Sequence, residues 1–170
     1  MKSEKNIVLV GMMGSGKSSI GKKLADTTDL DFIDIDNKIE EIENMSINDI
    51  FKIKGENYFR KIEEDISLTY LKLSKKVISL GGGGYINSKI RQQCSKNCTS
   101  VWLKWKSETL IDRIKNSKKR PLAVKLNYSE IKKMIYQRSK IYNSSDYKIN
   151  CDRLKKDQIV KKIIKFNENI

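Results

Sequence analysis

The stretch Gly11-Met12-Met13-Gly14-Ser15-Gly16-Lys17-Ser18 decides the fold of this 170-residue chain. It follows the apolar run 6–10, which reads as a buried strand, and it precedes residues with helical spacing. In this context the spacing of Gly, Lys and Ser is that of a phosphate-binding loop, whose glycines let backbone N–H groups face a phosphate at a helix N-terminus. We expect Lys17 to reach the β- and γ-phosphates of a nucleotide and the Ser18 hydroxyl to bind Mg²⁺.

Strands and helices alternate along the rest of the chain. Further short apolar runs predict strands at 31–34, 77–80, 100–103 and 147–149, and helical spacing predicts helices at 17–28, 39–43, 46 onward, 56–74, 87–96, 107–116, 129–141 and 156–166. This order is typical of an α/β chain with a parallel sheet, whose ligands gather at the carboxyl ends of the strands. The basic segment 117–126 contains the single proline, Pro121, and reads as a loop or flap.

The composition limits the class of protein. A length of 170 residues predicts a single domain spanning 1–170. No apolar run approaches the length of a bilayer, and no signal peptide is recognisable, so we expect no membrane partner. The three cysteines and the absence of histidine disfavour a disulfide framework and exclude imidazole chemistry. A reducing cytoplasm is the expected location.

The net charge of +14 is unevenly distributed. Residues 101–170 contain 19 Lys and Arg against seven Asp and Glu, a net charge of +12, whereas residues 1–100 carry +2. A basic half can indicate a nucleic-acid-binding module. Lys is, however, the ordinary surface residue of this chain and forms no long basic tract, so we expect no nucleic-acid partner. A basic half also suits a protein that handles several phosphate groups.

The acidic residues at the end of the second predicted strand are the candidates for acid–base and metal chemistry. Many phosphate-loop proteins place a metal-binding Asp at the end of the third strand, but here that strand leads from Ser79 into glycine. Asp34 and Asp36 are one residue apart and would point the same way in extended chain. One could support the Mg²⁺ shell while the other faces an acceptor hydroxyl. The alternative is a pair of solvated acids in a turn.

Taken together, the motifs resemble those of the shikimate kinases along nearly the whole chain. The matching pieces are the phosphate loop, Phe32 to Asp36 with Ile39-Glu40, Gly55-Glu56 with Phe59-Arg60 and Glu63, Ser79 to Gly83, Arg120-Pro121-Leu122, and Arg138 with Tyr142. The resemblance implies a three-layer P-loop fold with a five-stranded parallel sheet of order 2-3-1-4-5, helices on both faces and a short lid. It places a substrate-binding region at about 36–63 and the lid at about 115–126.

The resemblance also implies the reaction and the roles of individual residues. The family transfers the γ-phosphoryl group of ATP to the 3-hydroxyl of shikimate, with Mg²⁺, in the chorismate pathway to aromatic amino acids. On the nucleotide side the resemblance implies that Arg120 is a catalytic arginine of the lid. It also implies a set of ATP-binding residues. That set is Gly14, Ser15, Gly16, Lys17, Ser18, Ser19, Arg120 and Arg153.

On the acceptor side the resemblance implies that Asp36 bonds the ring hydroxyls and accepts the attacking proton, and that Asp34 supports Mg²⁺ beside Ser18. Arg60 and Arg138 would bind the substrate carboxylate, since a planar guanidinium matches a carboxylate bidentately. Glu63 would orient Arg60. The glycine run 81–83 would bring its backbone close to the substrate. The chain departs from the family in lacking the proline between Arg138 and Tyr142.

Three functions remain open from the sequence. The first is a shikimate kinase, expected to be a monomer that binds shikimate and ATP. The second is another small P-loop kinase that acts on gluconate or on a nucleoside monophosphate. The pairing of Asp36 with Arg60 and Arg138 favours a small polyhydroxylated carboxylate such as shikimate or gluconate. The third is a nucleic-acid-binding module, which only the basic half suggests.

Overall fold

The computed structural model describes residues 5–116 and 126–168, which form strands and helices in alternation. The strands are β1 Asn6–Val10, β2 Asp31–Asp34, β3 Lys76–Ser79, β4 Cys98–Lys104 and β5 Tyr147–Asn150. The helices are α1 Lys17–Thr28, α2 Ile35–Glu43, α3 Ile47–Ile53, α4 Gly55–Leu71, α5 Ser88–Asn97, α6 Ser107–Lys115, α7 Tyr128–Tyr142 and α8 Lys156–Glu168. A short 3-10 helix covers Gly84–Ile86.

The five strands form a parallel sheet of order β2-β3-β1-β4-β5. The predicted fold class and strand order are therefore confirmed. Strand β1 lies at the centre, where its backbone pairs with both β3 and β4. The carboxyl ends of β1, β2 and β3 therefore meet at one edge of the sheet, and the phosphate loop leaves β1 at that edge.

Side chains of β1 alternate between two hydrophobic cores, one on each face of the sheet. Ile7 and Leu9 pack with α1 and α8, whereas Val8 and Val10 belong to the core formed with the helices α2 to α7. All four side chains are almost completely buried. This alternation is the reason why an uninterrupted apolar run predicts a central strand covered on both faces.

The structure corrects the predicted geometry of the two aspartates. Strand β2 ends at Asp34, and Ile35 already begins α2, so Asp36 lies in the first helical turn and not in extended chain. Asp34 is the N-cap of α2, and its carboxylate accepts a hydrogen bond from the Asn37 N–H at 3.4 Å. An Asp at this position satisfies an otherwise unpaired N–H group, which favours a helix start over a longer strand.

Several helix boundaries also differ from the predicted ones. Helix α4 ends at Leu71, so Leu73 lies beyond it and is 44% exposed instead of facing the core. The lid predicted around 115–126 falls largely on residues 117–125, outside the described part of the chain. No helix among the described residues has the length and hydropathy needed to span a bilayer.

The buried side chain of Asn6 connects β1 to the chain that leads into β3. Its Nδ2 donates to the Leu73 carbonyl at 2.6 Å, and its Oδ1 accepts from the Lys76 N–H at 2.9 Å. The amide thus satisfies a donor and an acceptor of the backbone that has left α4. Because the residue is fully buried, water cannot replace these bonds.

We predict that Asn6→Ala lowers the free energy of unfolding by about 1–3 kcal/mol, because it removes the hydrogen bonds to two partly buried backbone groups. Urea denaturation followed by circular dichroism measures the change. Asn150→Ala is the matched control, since Asn150 is exposed at the end of β5, and it should change stability by less than about 0.5 kcal/mol. Equal effects of the two substitutions would contradict the structural role of Asn6.

Candidate active site

The phosphate loop turns sharply between β1 and α1. Gly11, Gly14 and Gly16 have φ angles of +144°, +78° and +86°, in a range that only glycine adopts without strain. The Ser15 N–H donates to the Met12 carbonyl at 3.1 Å and closes the turn. Gly16 is the N-cap of α1, so the first N–H groups of the helix point into the space that the loop encloses.

Lys17 extends back along the inside of this loop. Its Nζ donates to the carbonyl oxygens of Gly11 at 2.9 Å and Met12 at 3.1 Å, and the residue is only 6% exposed. Burial of an ammonium group is unfavourable unless dipoles or an anion compensate its charge. The two carbonyl dipoles supply part of that compensation, and a phosphate group would supply an anion.

Two side chains contact the outer side of the loop. The indole Nε1 of Trp105 donates to the Ser15 carbonyl at 3.0 Å. The Arg113 guanidinium donates to the Gly14 carbonyl at 3.2 Å and lies 3.8 Å from the centre of the Trp105 ring. Trp105 follows β4 and Arg113 is in α6, so the fourth strand and its helix support the loop from outside.

The glycine run after β3 passes beneath two carboxylates. A Cβ atom placed on Gly81 would lie 2.5 Å from Oε1 of Glu63 and 2.6 Å from Oδ1 of Asp36. A Cβ on Gly83 would lie 2.4 Å from the guanidinium of Arg60. Neither glycine has a positive φ angle, so the requirement here is for space and not for unusual backbone geometry.

Glu63 is an almost completely buried acid that orients Arg60. Its Oε2 accepts from Arg60 at 2.7 Å, and the residue is 2% exposed. Its Oε1 has no hydrogen-bond partner among the described residues. Burial raises the pKa of the Glu63 carboxyl, and the nearby Asp36 adds to this rise, while the charges of Arg60 and Arg138 oppose it. Two acids and two arginines therefore share one small region.

Helix α7 reaches the same region from the other side of the glycine run. Both Arg138, at 3.2 Å, and the Tyr142 hydroxyl, at 2.5 Å, donate to the Gly82 carbonyl. Tyr142 is buried and packs on Trp102. The backbone around Arg138 is a regular helix although the proline typical of the family is missing, so Arg138 and Tyr142 lie one turn apart on one face.

Two cavities adjoin at this edge of the sheet. The smaller, of about 260 Å³, is lined by Gly14, Gly16, Lys17, Ser18, Ser19, Asp36, Ser79 and Leu80. The larger, of about 630 Å³, is bounded by both aspartates, by Arg60, Glu63 and Arg138, and by apolar side chains that include Met13, Phe51 and Phe59. Ser18 and Asp36 line both cavities. A phosphate in the first cavity would therefore lie next to a group in the second.

Most of the predicted site residues lie together. Gly82, Gly83 and Asp34 line the larger cavity, and Asp34 is 8% exposed, so the pair of aspartates is not a solvated turn. Ser15 and Gly81 line neither cavity. Ser15 lies in sequence between Gly14 and Gly16, which line the smaller one, and Gly81 lies beside Asp36 and Glu63. Arg153 is exposed in the loop after β5 and borders neither cavity. Arg120 lies outside the described residues.

Sequence reasoning missed Trp105 and Arg113. Trp105 contacts Ser15, which is 90 positions away in the sequence, and no local sequence pattern predicts such a contact. The scarcity of arginine in this lysine-rich chain was the available signal for Arg113, since Arg is favoured where a planar cation must stack.

Comparisons with known proteins agree on one family. The sequence model described as "Shikimate kinase" matches residues 13–168. A shikimate kinase of a Sulfurihydrogenibium species is 42% identical over 160 residues, covering 94% of this chain and 96% of that protein. The solved shikimate kinase of Acinetobacter baumannii in complex with shikimate has a TM-score of 0.92 and 26% identity, covering 99% of this chain and 95% of that one.

A gluconokinase of Sinorhizobium meliloti is also similar in structure, but more distantly. It has a TM-score of 0.59 and 18% identity, covering 99% of this chain and 97% of that one. Identity at this level shows a shared fold alone, so it lends no support to gluconate as the acceptor.

We predict that Gly81→Ala destabilises the protein by about 1–3 kcal/mol, because the new methyl group would displace the buried Glu63 and its partner Arg60. Gly84→Ala is the matched control. A Cβ there would meet Glu63 and Leu80 at 3.5 and 3.6 Å, which is ordinary contact. Thermal and urea denaturation of both variants should separate them clearly. Equal stabilities would show that the carboxylates do not need the space at Gly81.

Proposed function

The chain belongs to the shikimate kinase family, and we propose that it transfers the γ-phosphoryl group of ATP to the 3-hydroxyl of shikimate. The products are shikimate 3-phosphate and ADP. The observation that carries this proposal is the junction of the two cavities at Ser18 and Asp36. A nucleotide in the phosphate loop would present its terminal phosphate at the place where an acceptor hydroxyl can approach it in line.

The nucleotide side follows from the loop geometry. The N–H groups at the start of α1 would bind the β-phosphate, and Lys17 would neutralise charge on the β- and γ-phosphates. Gly14 and Ser19 border the same cavity. We propose Arg120 as an additional cation for the transferred group and Arg153 as a contact to the nucleoside. Both roles come from the family resemblance.

Mg²⁺ is the proposed metal, and the residues present fit it. Magnesium prefers oxygen ligands, and in nucleotide sites most of them are phosphate and water oxygens. The Ser18 hydroxyl and the Asp36 carboxylate line both cavities, and the Asp34 carboxylate lines the larger one. Ser18 would bind the ion directly and Asp34 would support its shell. When bound, the ion supplies positive charge that offsets the charge developing on the transferred group.

The acceptor side matches a small polyhydroxylated carboxylate. Arg60 and Arg138 line the larger cavity, and two guanidinium groups can bind one carboxylate through parallel N–H···O bonds. Asp36 and the unpartnered Oε1 of Glu63 can accept hydrogen bonds from ring hydroxyls. Met13, Phe51 and Phe59 offer apolar surface to the carbon skeleton.

Asp36 is the proposed general base. Its carboxylate would accept the proton of the 3-hydroxyl while the oxygen forms a bond to the γ-phosphorus, and the bond from that phosphorus to the bridging oxygen of ADP breaks. Asp34 is less suited, because its carboxylate already accepts from the N–H of Asn37 as the cap of α2. The two acids therefore have different tasks although they are adjacent in sequence.

We also propose a monomeric protein of the reducing cytoplasm that contains no nucleic-acid site. Three buried cysteines support this compartment, because none of them forms a disulfide bond: Cys94, Cys98 and Cys151. The basic residues of the second half are spread over several helices and do not form one tract.

The proposed function is tested by ADP release with a panel of acceptors. Purified protein with ATP and Mg²⁺ should release ADP in proportion to added shikimate, and gluconate or AMP should give only the background rate. The Lys17→Ala variant, prepared in parallel, controls for contaminating kinases and should lose at least about a hundredfold of the activity. Turnover of gluconate at a comparable rate would refute the assignment.

Because Asp36 and Asp34 are proposed to have different roles, we predict that their substitutions cause different kinetic defects. Asp36→Asn keeps the size of the side chain but cannot accept the proton, so kcat should fall by about 10²–10⁴-fold at saturating Mg²⁺. Asp34→Asn should instead raise the Mg²⁺ concentration needed for half-maximal rate. Initial rates over a Mg²⁺ series measure both effects. Identical profiles for the two variants would remove the distinction.

The paired arginines predict a defect confined to the acceptor. Arg60→Lys keeps the charge but loses the planar fork, so the KM for shikimate should rise about tenfold or more while the KM for ATP stays near normal. Arg91→Lys is the matched control, because Arg91 donates to the Tyr85 and Ile86 carbonyls and borders neither cavity. Parallel rises in both KM values for Arg60→Lys would point to a general folding defect.

A further inference from the structure

The peptide group between Ser15 and Gly16 is held from outside the phosphate loop by one side chain. Its carbonyl oxygen accepts from Nε1 of Trp105 at 3.0 Å, and the partners are 90 residues apart in sequence. The preceding carbonyl, of Gly14, accepts from Arg113, whose guanidinium stacks on the same indole ring. Two consecutive carbonyls of the loop thus point away from the phosphate cavity.

The orientation of this peptide decides where the Gly16 N–H points. In a trans peptide the C=O and N–H groups point in opposite directions, so a carbonyl directed outward places the following N–H inward. Rotation of the peptide plane changes only ψ of Ser15 and φ of Gly16. Glycine adopts positive and negative φ angles about equally well, and Gly16 stands at +86°. The covalent chain therefore opposes the rotation weakly, and the bond to Trp105 opposes it directly.

Trp105 is itself well positioned for this task. The carbonyl of Lys104 accepts from the Cys151 N–H at 2.9 Å, which extends the pairing of β4 with β5. The N–H of Lys106 donates to the Asp152 carboxylate at 3.0 and 3.1 Å. Thr109 in the first turn of α6 also donates to Asp152, at 3.1 Å. The backbone on both sides of Trp105 is thus bound to the segment after β5, which fixes the place from which the indole extends toward the loop.

We propose that Trp105 is a positioning residue of the phosphate loop. Its indole N–H keeps the peptide between Ser15 and Gly16 in the orientation that presents the Gly16 N–H to a phosphate, and Arg113 covers the outer face of the ring. The proposal deepens the proposed function, on which it rests, by assigning part of the nucleotide affinity to a side chain that does not touch the nucleotide. It concerns the phosphates alone and makes no use of the base.

The substitution Trp105→Phe tests the proposal, because it keeps an aromatic ring for Arg113 to cover but removes the N–H donor. Titration calorimetry of the full chain measures binding of ADP, of inorganic pyrophosphate and of shikimate in separate experiments. We expect the Kd values of ADP and pyrophosphate to rise by the same factor, about three- to tenfold, which corresponds to one neutral hydrogen bond. The Kd of shikimate should stay unchanged, and the urea midpoint should fall only slightly, because the lost hydrogen bond is also present in the folded protein without ligand.

Pyrophosphate distinguishes the possible roles because it has no base or ribose. A loss of ADP affinity without a loss of pyrophosphate affinity would mean that Trp105 contacts the nucleoside, and would overturn the proposal. So would unchanged binding of both ligands, or a parallel loss of shikimate affinity and stability.

Trp102→Phe is the matched control. Trp102 packs in the core against Tyr142, with ring centres 5.9 Å apart, so its substitution should lower stability and leave pyrophosphate binding unchanged. An equal loss of pyrophosphate affinity in this control would assign the effect to packing and overturn the proposal. None of these binding measurements needs an acceptor to be phosphorylated, so failure of the inference is distinguishable from failure of the proposed function.

Discussion

A buried ammonium group at the carboxyl end of the central strand is the constraint on which the site depends. Lys17 is 6% exposed, and the loop around it turns two carbonyls toward its Nζ through turns that require glycine at positive φ angles. The same turns direct N–H groups into the cavity at the start of α1. The same backbone turns therefore place carbonyls around the Lys17 ammonium group and N–H groups where they can bind an anion.

The acceptor side depends on a second close approach of backbone. Gly82 lies against the phosphate loop, where a Cβ would be 3.1 Å from the Met13 nitrogen, and its carbonyl accepts from Arg138 and Tyr142 of α7. The glycine run thus connects the loop after β1 to the helix that carries Arg138, which we propose as one of the two arginines that bind the substrate carboxylate. Because the glycine run has no side chains, the carboxylates of Asp36 and Glu63 can lie close together beside Arg60. The lack of side chains at Gly81, Gly82 and Gly83 therefore leaves the space that Asp36, Glu63, Arg60 and the phosphate loop occupy.

Much of this arrangement was predictable because it is encoded locally. Short apolar runs predicted the strands, and the spacing of Gly, Lys and Ser predicted a tight glycine turn between β1 and α1. The N-cap role of Asp34 was not recognised, because Asp-Ile-Asp fits both a strand end and a helix start, and only the cap bond to Asn37 decides between them. The contacts of Trp105 and Arg113 could not be predicted, since they join residues that only the folded sheet brings together.

The central claim is that Asp36 and Ser18 join a nucleotide cavity to an acceptor cavity built for shikimate. Phosphorus NMR of the products, correlated to the ring protons, tests it most directly. We expect one phosphate ester on the 3-oxygen of shikimate for each ADP formed. Release of ADP with inorganic phosphate and no ester, or an ester on another hydroxyl, would contradict the proposed alignment of the two cavities.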